Sequence, residues 1–327
     1  MNRLLSCEKF YGNYTGFDWI DIGCGGVMQK IPAGWKTTLS KTMQIKQANM
    51  LVASAFFSAG IFYQANALAQ NPNASHPMIW DAHSHYAKAD TEAVSHDEVI
   101  QILDRNNVQK ILITSTPNSG TLKLAKFAPN RIIPFLSVYR TKADKRDWMH
   151  RIEVLDEAKQ AIATGRYVGI GELHIFAKDK KSPVLKGLVE LAKEHQMPML
   201  IHGDAEIIDE IFSIDPKARI LWAHLGTQPK ISLLKTMLDK YPDNLWIDTS
   251  VRDKQLLATG RLDSQWREFF MDYETRFLVA IDTFSVNRWK TYDSVVKDIH
   301  HWLGDLPAGV AQKLAHENAK TFFALEK

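Results

Sequence analysis

The stretch MIWDAHSHY (residues 78–86) is a short apolar run that ends in two histidines one residue apart. On a β-strand successive side chains alternate between faces, so His83 and His85 would point the same way and could reach one metal ion. This spacing alone is weak evidence, since a chain with twelve histidines readily contains such a pair by chance. The rest of the sequence has to decide whether the pair binds a metal.

Seven further runs rich in Ile, Val, Leu and Phe follow, and segments with apolar residues three and four positions apart lie between them. This alternation predicts parallel strands joined by amphipathic helices. Eight such strands in about 250 residues predict an α/β fold consisting of a single (β/α)8 TIM barrel, with an open doubly wound sheet as the alternative. The predicted strands are 78–86, 108–116, 131–140, 167–176, 197–204, 219–227, 244–250 and 276–284, and the clearest helices are 95–106, 147–165, 183–196 and 230–241.

The beginning of the chain has a different pattern. The apolar run MLVASAFFSAGIF (50–62) is preceded by lysines and followed by ANALA, which is the architecture of a secretory signal peptide. We therefore predict a signal peptide over residues 43–69 and export to the periplasm; an uncleaved membrane anchor or a buried helix is the alternative. Residues 1–42 are an unassigned N-terminal extension if translation starts at Met43, and the barrel domain is residues 70–327.

Composition after removal of the first 69 residues excludes several classes of protein. The remaining 258 residues contain 34 basic and 34 acidic side chains, so the mature chain is formally neutral. A neutral chain argues against a nucleic-acid partner bound through a broad basic surface, and we expect no stable membrane insertion after cleavage. Cys7 and Cys24 are removed as well, which leaves no thiol for catalysis or metal binding. Any metal must therefore bind to His, Asp and Glu.

Polar residues recur near the C-terminal ends of five predicted strands, and these ends converge on the active-site mouth of a TIM barrel. A carboxylate such as Glu172 in VGIGELHIF or Asp282 in FLVAIDTF is costly to bury unless it is paired or binds a metal. One strand-end histidine is ordinary packing, but six such residues at one mouth favour a metal centre. The candidate metal ligands are His83, His85, Glu172, His202, His224 and Asp282.

This set resembles that of the amidohydrolase superfamily, most closely its amidohydrolase-related (amidohydrolase 2) branch: H-x-H on strand one, Glu on strand four, His on strands five and six, and Asp on strand eight. HENAKTFF (316–323) is similar to the Asn-Ala signature of the closing helix of that branch. The resemblance covers residues 78–327 and implies a metal-dependent hydrolase. Glutamate stands where part of the superfamily has a carbamylated lysine, as in metal-dependent deoxyribonucleases, phosphotriesterase-like lactonases and some deacetylases.

The resemblance also implies the role of each ligand. His83, His85 and Asp282 would bind one divalent metal, His202 and His224 would bind a second, and Glu172 would bridge the two. Zn²⁺ is the expected ion, at one or two sites, although Mn²⁺, Fe²⁺ or Co²⁺ accept the same donors. Such an ion activates water for attack on a C–N, C–O or P–O bond of a small-molecule substrate, with Asp282 as the proton shuttle. A mononuclear decarboxylase of the same branch and a non-catalytic metal- or ligand-binding barrel are the alternatives.

Four further residues are candidates for contact with the substrate. His174 shares the face of Glu172 one step closer to the mouth, where it is a candidate catalytic residue that orients the substrate or stabilises an oxyanion. Arg252 follows strand seven and is a candidate clamp for a carboxylate, although a surface ion pair is the alternative. Tyr86 and Trp222 flank predicted ligands and are candidates to line the substrate pocket, with simple packing as the alternative.

Overall fold

The computed structural model describes residues 13–14, 17–21, 28–30 and 76–323, in two units, Met1–Ala74 and Ser75–Lys327. In the first unit the strands Asn13–Tyr14, Phe17–Asp21 and Met28–Lys30 pair in chain order as a small antiparallel sheet, which the sequence pattern did not indicate. The predicted signal peptide over 43–69 lies outside the described residues. Export and the domain limits therefore stay predictions.

The second unit contains a sheet of eight parallel strands in chain order, and each predicted strand is confirmed. Backbone hydrogen bonds from Ala82 N–H to Val279 O (3.0 Å) and from Asp282 N–H to His83 O (2.7 Å) join the first and last strands. The sheet therefore curves into the predicted TIM barrel, and an open doubly wound sheet is excluded. The strands are β1 Ile79–Ser84, β2 Val108–Ile113, β3 Ile132–Leu136, β4 Gly169–Ile175, β5 Met199–Gly203, β6 Ile220–Trp222, β7 Leu245–Asp248 and β8 Phe277–Leu278.

The second helix begins where the sequence provides a cap. The Ser95 hydroxyl accepts the Glu98 N–H (3.2 Å) and the Glu98 carboxylate accepts the Ser95 N–H (2.6 Å), so a capping box starts the second helix. No helix in the described part of the chain is long and apolar enough to cross a membrane. The helices are α1 Lys88–Ala93, α2 His96–Arg105, α3 Ser119–Phe127, α4 Glu153–Ala163, α5 Pro183–Glu194, α6 Ala205–Ile214, α7 Ile231–Lys240, α8 Ser264–Asp272, α9 Val286–Lys290, α10 Tyr292–Leu303, α11 Ala308–Gln312 and α12 Asn318–Phe323.

The prediction of one long helix over 147–165 was wrong at its beginning. Trp148–His150 form a short 3-10 turn instead, and α4 begins only at Glu153. The Trp148 side chain is completely buried and its indole N–H donates to the His174 carbonyl oxygen (3.0 Å). This contact holds the segment against the mouth of the barrel, and tertiary packing therefore overrides the helical pattern.

The barrel interior is filled with apolar side chains, and its N-terminal end is closed by α12. Phe322 packs against Trp246 of β7, and Phe323 packs against Phe135 of β3. The Asn318 side-chain amide donates to the carbonyl oxygen of Phe277 (2.8 Å), which fixes α12 beneath β8 and explains the Asn-Ala motif. Because this end is filled, the opposite end is left for a ligand.

Asp253→Asn is expected to stabilise the fold above pH 6. Asp253 follows β7, is 8% exposed and accepts the Trp302 indole N–H (3.2 Å). Burial raises the pKa of this carboxyl from its ordinary 3.8 to about 6, so stability decreases as the pH rises between these values. The asparagine oxygen keeps the hydrogen bond without ionising, and the full gain is about 3 kcal/mol at most. Urea unfolding at pH 4 and pH 7.5 tests this expectation; an equal difference at both pH values would contradict it.

Candidate metal centre

The predicted ligands meet around the carboxylate of Glu172, which is buried on β4. Its Oε2 lies 3.7 Å from His83 Nε2 and 3.5 Å from His85 Nε2. Its Oε1 lies 2.9 Å from His202 Nδ1 and 3.4 Å from His224 Nε2. The two oxygens of one carboxylate therefore face two different histidine pairs, which is the arrangement that a bridging ligand requires.

Asp282 completes the cluster from the segment that follows β8. Its Oδ1 lies 3.2 Å from His85 Nε2 and its Oδ2 lies 3.9 Å from His224 Nε2. His83, His85 and Asp282 offer ligand atoms within 4.8 Å of one another, so the predicted first metal site is gathered in space. Asp282 and His224 have φ angles of 59° and 61°, a left-handed conformation that costs non-glycine residues about 1–3 kcal/mol and clusters at functional sites.

Three of the ligand histidines are oriented by a hydrogen bond to Nδ1, which leaves Nε2 facing the centre. Metal-binding histidines usually have such a partner, because it fixes the ring and its tautomer. His202 differs, since its Nδ1 faces Glu172. The oriented pairs are His83 with Asp248 Oδ2 (3.0 Å), His85 with the Thr114 carbonyl oxygen (2.8 Å) and His224 with Ser250 Oγ (2.7 Å).

Asp248 is a functional residue that the sequence analysis missed. It is fully buried at the end of β7, and besides orienting His83 it accepts the backbone N–H of His224 (2.9 Å). Burial raises the pKa of this carboxyl, but the neighbouring His83 outweighs it and brings the pKa to about 2, so the group is ionised. Its position in NLWIDTS, an aspartate ending an apolar strand, is the same signal that identified Asp282.

The residues fit a divalent cation. His83 Nε2 and Asp282 Oδ1 are buried at the centre without a hydrogen-bond partner in the described chain. Burial lowers the pKa of the histidines, but the carboxylates of Glu172 and Asp282 outweigh it and raise the pKa of His83 well above its usual range and that of His85 to about 9. The protons on His83 and His85 therefore supply positive charge to the cluster. A bound cation would supply this charge instead, and the histidines would then release their protons. Imidazole and carboxylate donors suit Zn²⁺ and similar ions.

His174 lies at the centre rather than in a solvated loop. Its ring stacks on that of His202 with centroids 4.2 Å apart, and its Nδ1 lies 3.6 Å from Glu172 Oε2. Together the three residues form another group of potential metal ligands. Burial lowers the pKa of His174 to about 3, so this imidazole is neutral. Its catalytic role stays a prediction.

Arg252 makes no surface ion pair with the residues that the structure describes. Its Nε donates to the carbonyl oxygen of His224 (2.9 Å), and its side chain is half-buried. Arg252 therefore holds the backbone of a candidate ligand in its left-handed turn. Binding of a substrate carboxylate by Arg252 stays a prediction.

Tyr86 and Trp222 correct the predicted pocket lining, because both are buried on the outer face of the barrel under the helices. The Tyr86 hydroxyl donates to the Val94 carbonyl oxygen, and the Trp222 indole N–H donates to that of Gly203 (2.8 Å). Tyr86 alternates with His85 and so faces away from the centre. Trp222 is separated from His224 by a turn, so their even spacing does not place them on one face.

One protein-family model matches part of the chain. Residues 80–218 match the family model described as TatD related DNase. The matched segment contains β1 to β5 and four of the six predicted ligands, and it ends before His224 and Asp282. A comparison with curated proteins gives no match.

Solved structures share the fold. The TatD homologue YJJV from Escherichia coli K12 superimposes with a TM-score of 0.56 at 17% identity, over 75% of this chain and 98% of that one. The phosphotriesterase homology protein from Escherichia coli, complexed with phosphate in its active site, gives 0.55 at 12% identity, over 76% and 99%. A mutant of a PTE-like lactonase from Deinococcus radiodurans gives 0.50 at 12% identity, over 75% and 95%. At these identities the likeness shows the fold.

Proposed function

We propose that this chain is a metal-dependent hydrolase of the amidohydrolase type, and that it hydrolyses a C–N, C–O or P–O bond of a small molecule at a two-metal centre. The observation that carries the proposal is the Glu172 carboxylate, whose oxygens face separate histidine pairs. A mononuclear decarboxylase would need no bridge, and a non-catalytic barrel would need no buried base.

We also propose export, supported by the signal-like pattern of residues 43–69; N-terminal sequencing that does not begin at Gln70 would count against it.

Zinc is the ion that we propose for this centre. His83, His85 and Asp282 would hold one ion, His202 and His224 would hold the other, and Glu172 would contact both. When bound, such a cation lowers the pKa of water and polarises a carbonyl or phosphoryl oxygen.

Asp282 is the residue that we propose for proton transfer. Burial raises the pKa of its carboxyl, but His83 and His85 outweigh burial and bring it below the ordinary value, so the group is ionised and can accept a proton. It would take the proton of the attacking water and donate it to the leaving group. The neutral imidazole of His174 lies beside Glu172 and His202, where it would orient the substrate. No covalent intermediate is needed, because the nucleophile is water.

Replacing the bridge should change the metal content. Wild-type protein purified without chelator is expected to hold two equivalents of zinc, and Glu172→Ala should fall towards one. Glu190→Ala is the control, because Glu190 is exposed on α5 and should leave both equivalents in place. Elemental analysis by mass spectrometry measures the result. One equivalent in every variant would favour the decarboxylase, and no metal after supplementation would contradict the proposal.

A nuclease is the second candidate, favoured by the TatD related DNase match. The formally neutral chain from residue 70 onward offers no broad basic surface for a DNA backbone, which is why a small molecule is preferred. Amides, lactones and phosphoesters should be screened beside single- and double-stranded DNA, with product analysis for CO2. Chelator-sensitive cleavage of DNA alone would support the nuclease, and CO2 release would support the decarboxylase.

A further inference from the structure

A lysine lies beside the candidate metal centre, in the loop between β3 and α4. Lys145 Nζ is 3.8 Å from Glu172 Oε2 and 3.2 Å from His174 Nε2, and it lies 5.6 Å from the centre of the Tyr139 ring. The side chain is 34% exposed, so the ammonium group faces both the centre and the solvent. No sequence pattern indicated it, because its position depends on the path of a loop.

The loop is fixed at both sides of Lys145. Six residues before it, the buried Tyr139 hydroxyl accepts the backbone N–H of His174 (2.7 Å), and three residues after it the buried Trp148 donates to the carbonyl oxygen of His174 (3.0 Å). Between them, the Asp144 carboxylate accepts two backbone N–H groups of the same turn. The position of the lysine is therefore built into the fold and does not depend on its exposed contact with Glu172.

Charge at the metal-loaded centre would favour an anion. Glu172, Asp248 and Asp282 contribute three negative charges, whereas two divalent ions and Lys145 would contribute about five positive charges, an excess that attracts anions. Once Glu172 is bound to metal, it no longer neutralises the ammonium group. An anionic group of the substrate would then be the natural partner of Lys145.

Two exposed aromatic residues follow the strands that lead to candidate ligands. Phe176 follows β4 and is 41% exposed, and Phe284 follows β8 and is 56% exposed. They are two of the four large exposed hydrophobic side chains in the described part of the chain, and each lies within four residues of a candidate ligand. The Phe176 ring lies 6.1 Å from that of His202. Exposed apolar surface at a site mouth is typical of ligand binding.

We propose that Lys145 binds an anionic group of the substrate, and that the substrate is an organic anion whose apolar part contacts Phe176. A carboxylate and a phosphate-type group share the required chemistry, because an ammonium ion recognises either as a point charge. The inference rests on the proposed function, whose substrate class it narrows.

Binding of two non-hydrolysed anions tests the proposal. Isothermal titration of the zinc-loaded protein with methylphosphonate and phenylphosphonate should show about tenfold weaker binding of both to Lys145→Gln, because one charge-assisted contact is lost. Lys142→Gln on the exposed side of the same turn is the matched control, and Lys145→Arg should keep most of the affinity. Phe176→Ala should weaken only phenylphosphonate. Benzoate in place of phenylphosphonate distinguishes a preference for carboxylate.

The outcomes separate this inference from the proposed function. The role of Lys145 is overturned if Lys145→Gln and Lys142→Gln bind the anions equally well, or if zinc-loaded wild type binds neither the phosphonates nor benzoate. Two equivalents of zinc would still support the hydrolase in either case. Loss of zinc from Lys145→Gln would show that the lysine positions Glu172 for metal binding. That result would also overturn the proposal that Lys145 binds the substrate. Wild-type protein that holds no zinc contradicts the proposed function itself.

Discussion

Asp282→Asn is expected to lower kcat/KM for the metal-dependent hydrolysis by about a thousandfold without unfolding the protein, since general acid–base groups contribute about 10²–10⁴ in rate. Asparagine has the size of aspartate but cannot accept a proton from water. Its amide oxygen can still face His85, and the backbone bond from residue 282 to the His83 carbonyl oxygen is unaffected. Steady-state kinetics with excess zinc, beside zinc content by elemental analysis, measure the effect.

The exposed Asp272→Asn on α8 is the control for the loss of one carboxylate, and its kcat/KM should equal that of wild type. If Asp282→Asn keeps its zinc and retains activity within threefold of wild type, the proton shuttle lies elsewhere, and His174 is the next candidate. If the variant loses zinc even in excess metal, the loss of rate reflects lost metal binding. That result would contradict the expectation that the rate falls because the proton acceptor is missing.

The barrel and its ligands could be read from the sequence because both depend on local pattern. The strands are apolar on both faces, since one face packs inside the barrel and the other under helices, and this makes each run visible. A buried carboxylate such as Glu172, in the middle of β4, interrupts that pattern. Asp248 gives the same signal, and only its absence from the resembled ligand set kept it from being singled out.

Residues whose direction depends on turns and loops could not be predicted in the same way. Trp222 lies two positions before His224, but a left-handed turn begins between them. The two side chains therefore point in different directions, which the sequence spacing does not show. Lys145 reaches Glu172 because tertiary contacts hold the segment between β3 and α4, for which the sequence pattern predicted no element. Side-chain direction at strand ends and in loops is set by the assembled barrel.

Asp81→Ala is expected to lower the free energy of unfolding by about 3–5 kcal/mol, because it removes the partner of four buried donors at once. Asp81 is fully buried on β1. Its Oδ1 accepts the backbone N–H groups of Ile281 (2.9 Å) and His83 (3.2 Å), and its Oδ2 accepts the hydroxyls of Ser84 (2.6 Å) and Tyr292 (3.0 Å). The side chain therefore joins β1 to the segment after β8 and to α10, where few backbone bonds close the barrel.

Asp81→Asn keeps the size of the side chain, so it separates the effect of the lost charge from the effect of the cavity that alanine leaves. Its oxygen can still accept the two backbone N–H groups, and its NH2 group can donate to the hydroxyls, which can turn to accept, so a loss of about 1 kcal/mol is expected. Urea unfolding followed by tryptophan fluorescence compares both variants with Asp272→Ala. If Asp81→Ala unfolds within 1 kcal/mol of that exposed control, barrel closure depends on the two backbone bonds between β1 and the β8 segment rather than on the carboxylate. If the loss is as large as expected, the same carboxylate that closes the barrel also holds His83 and the segment leading to Asp282, and the metal affinity of Asp81→Asn should decline with its stability.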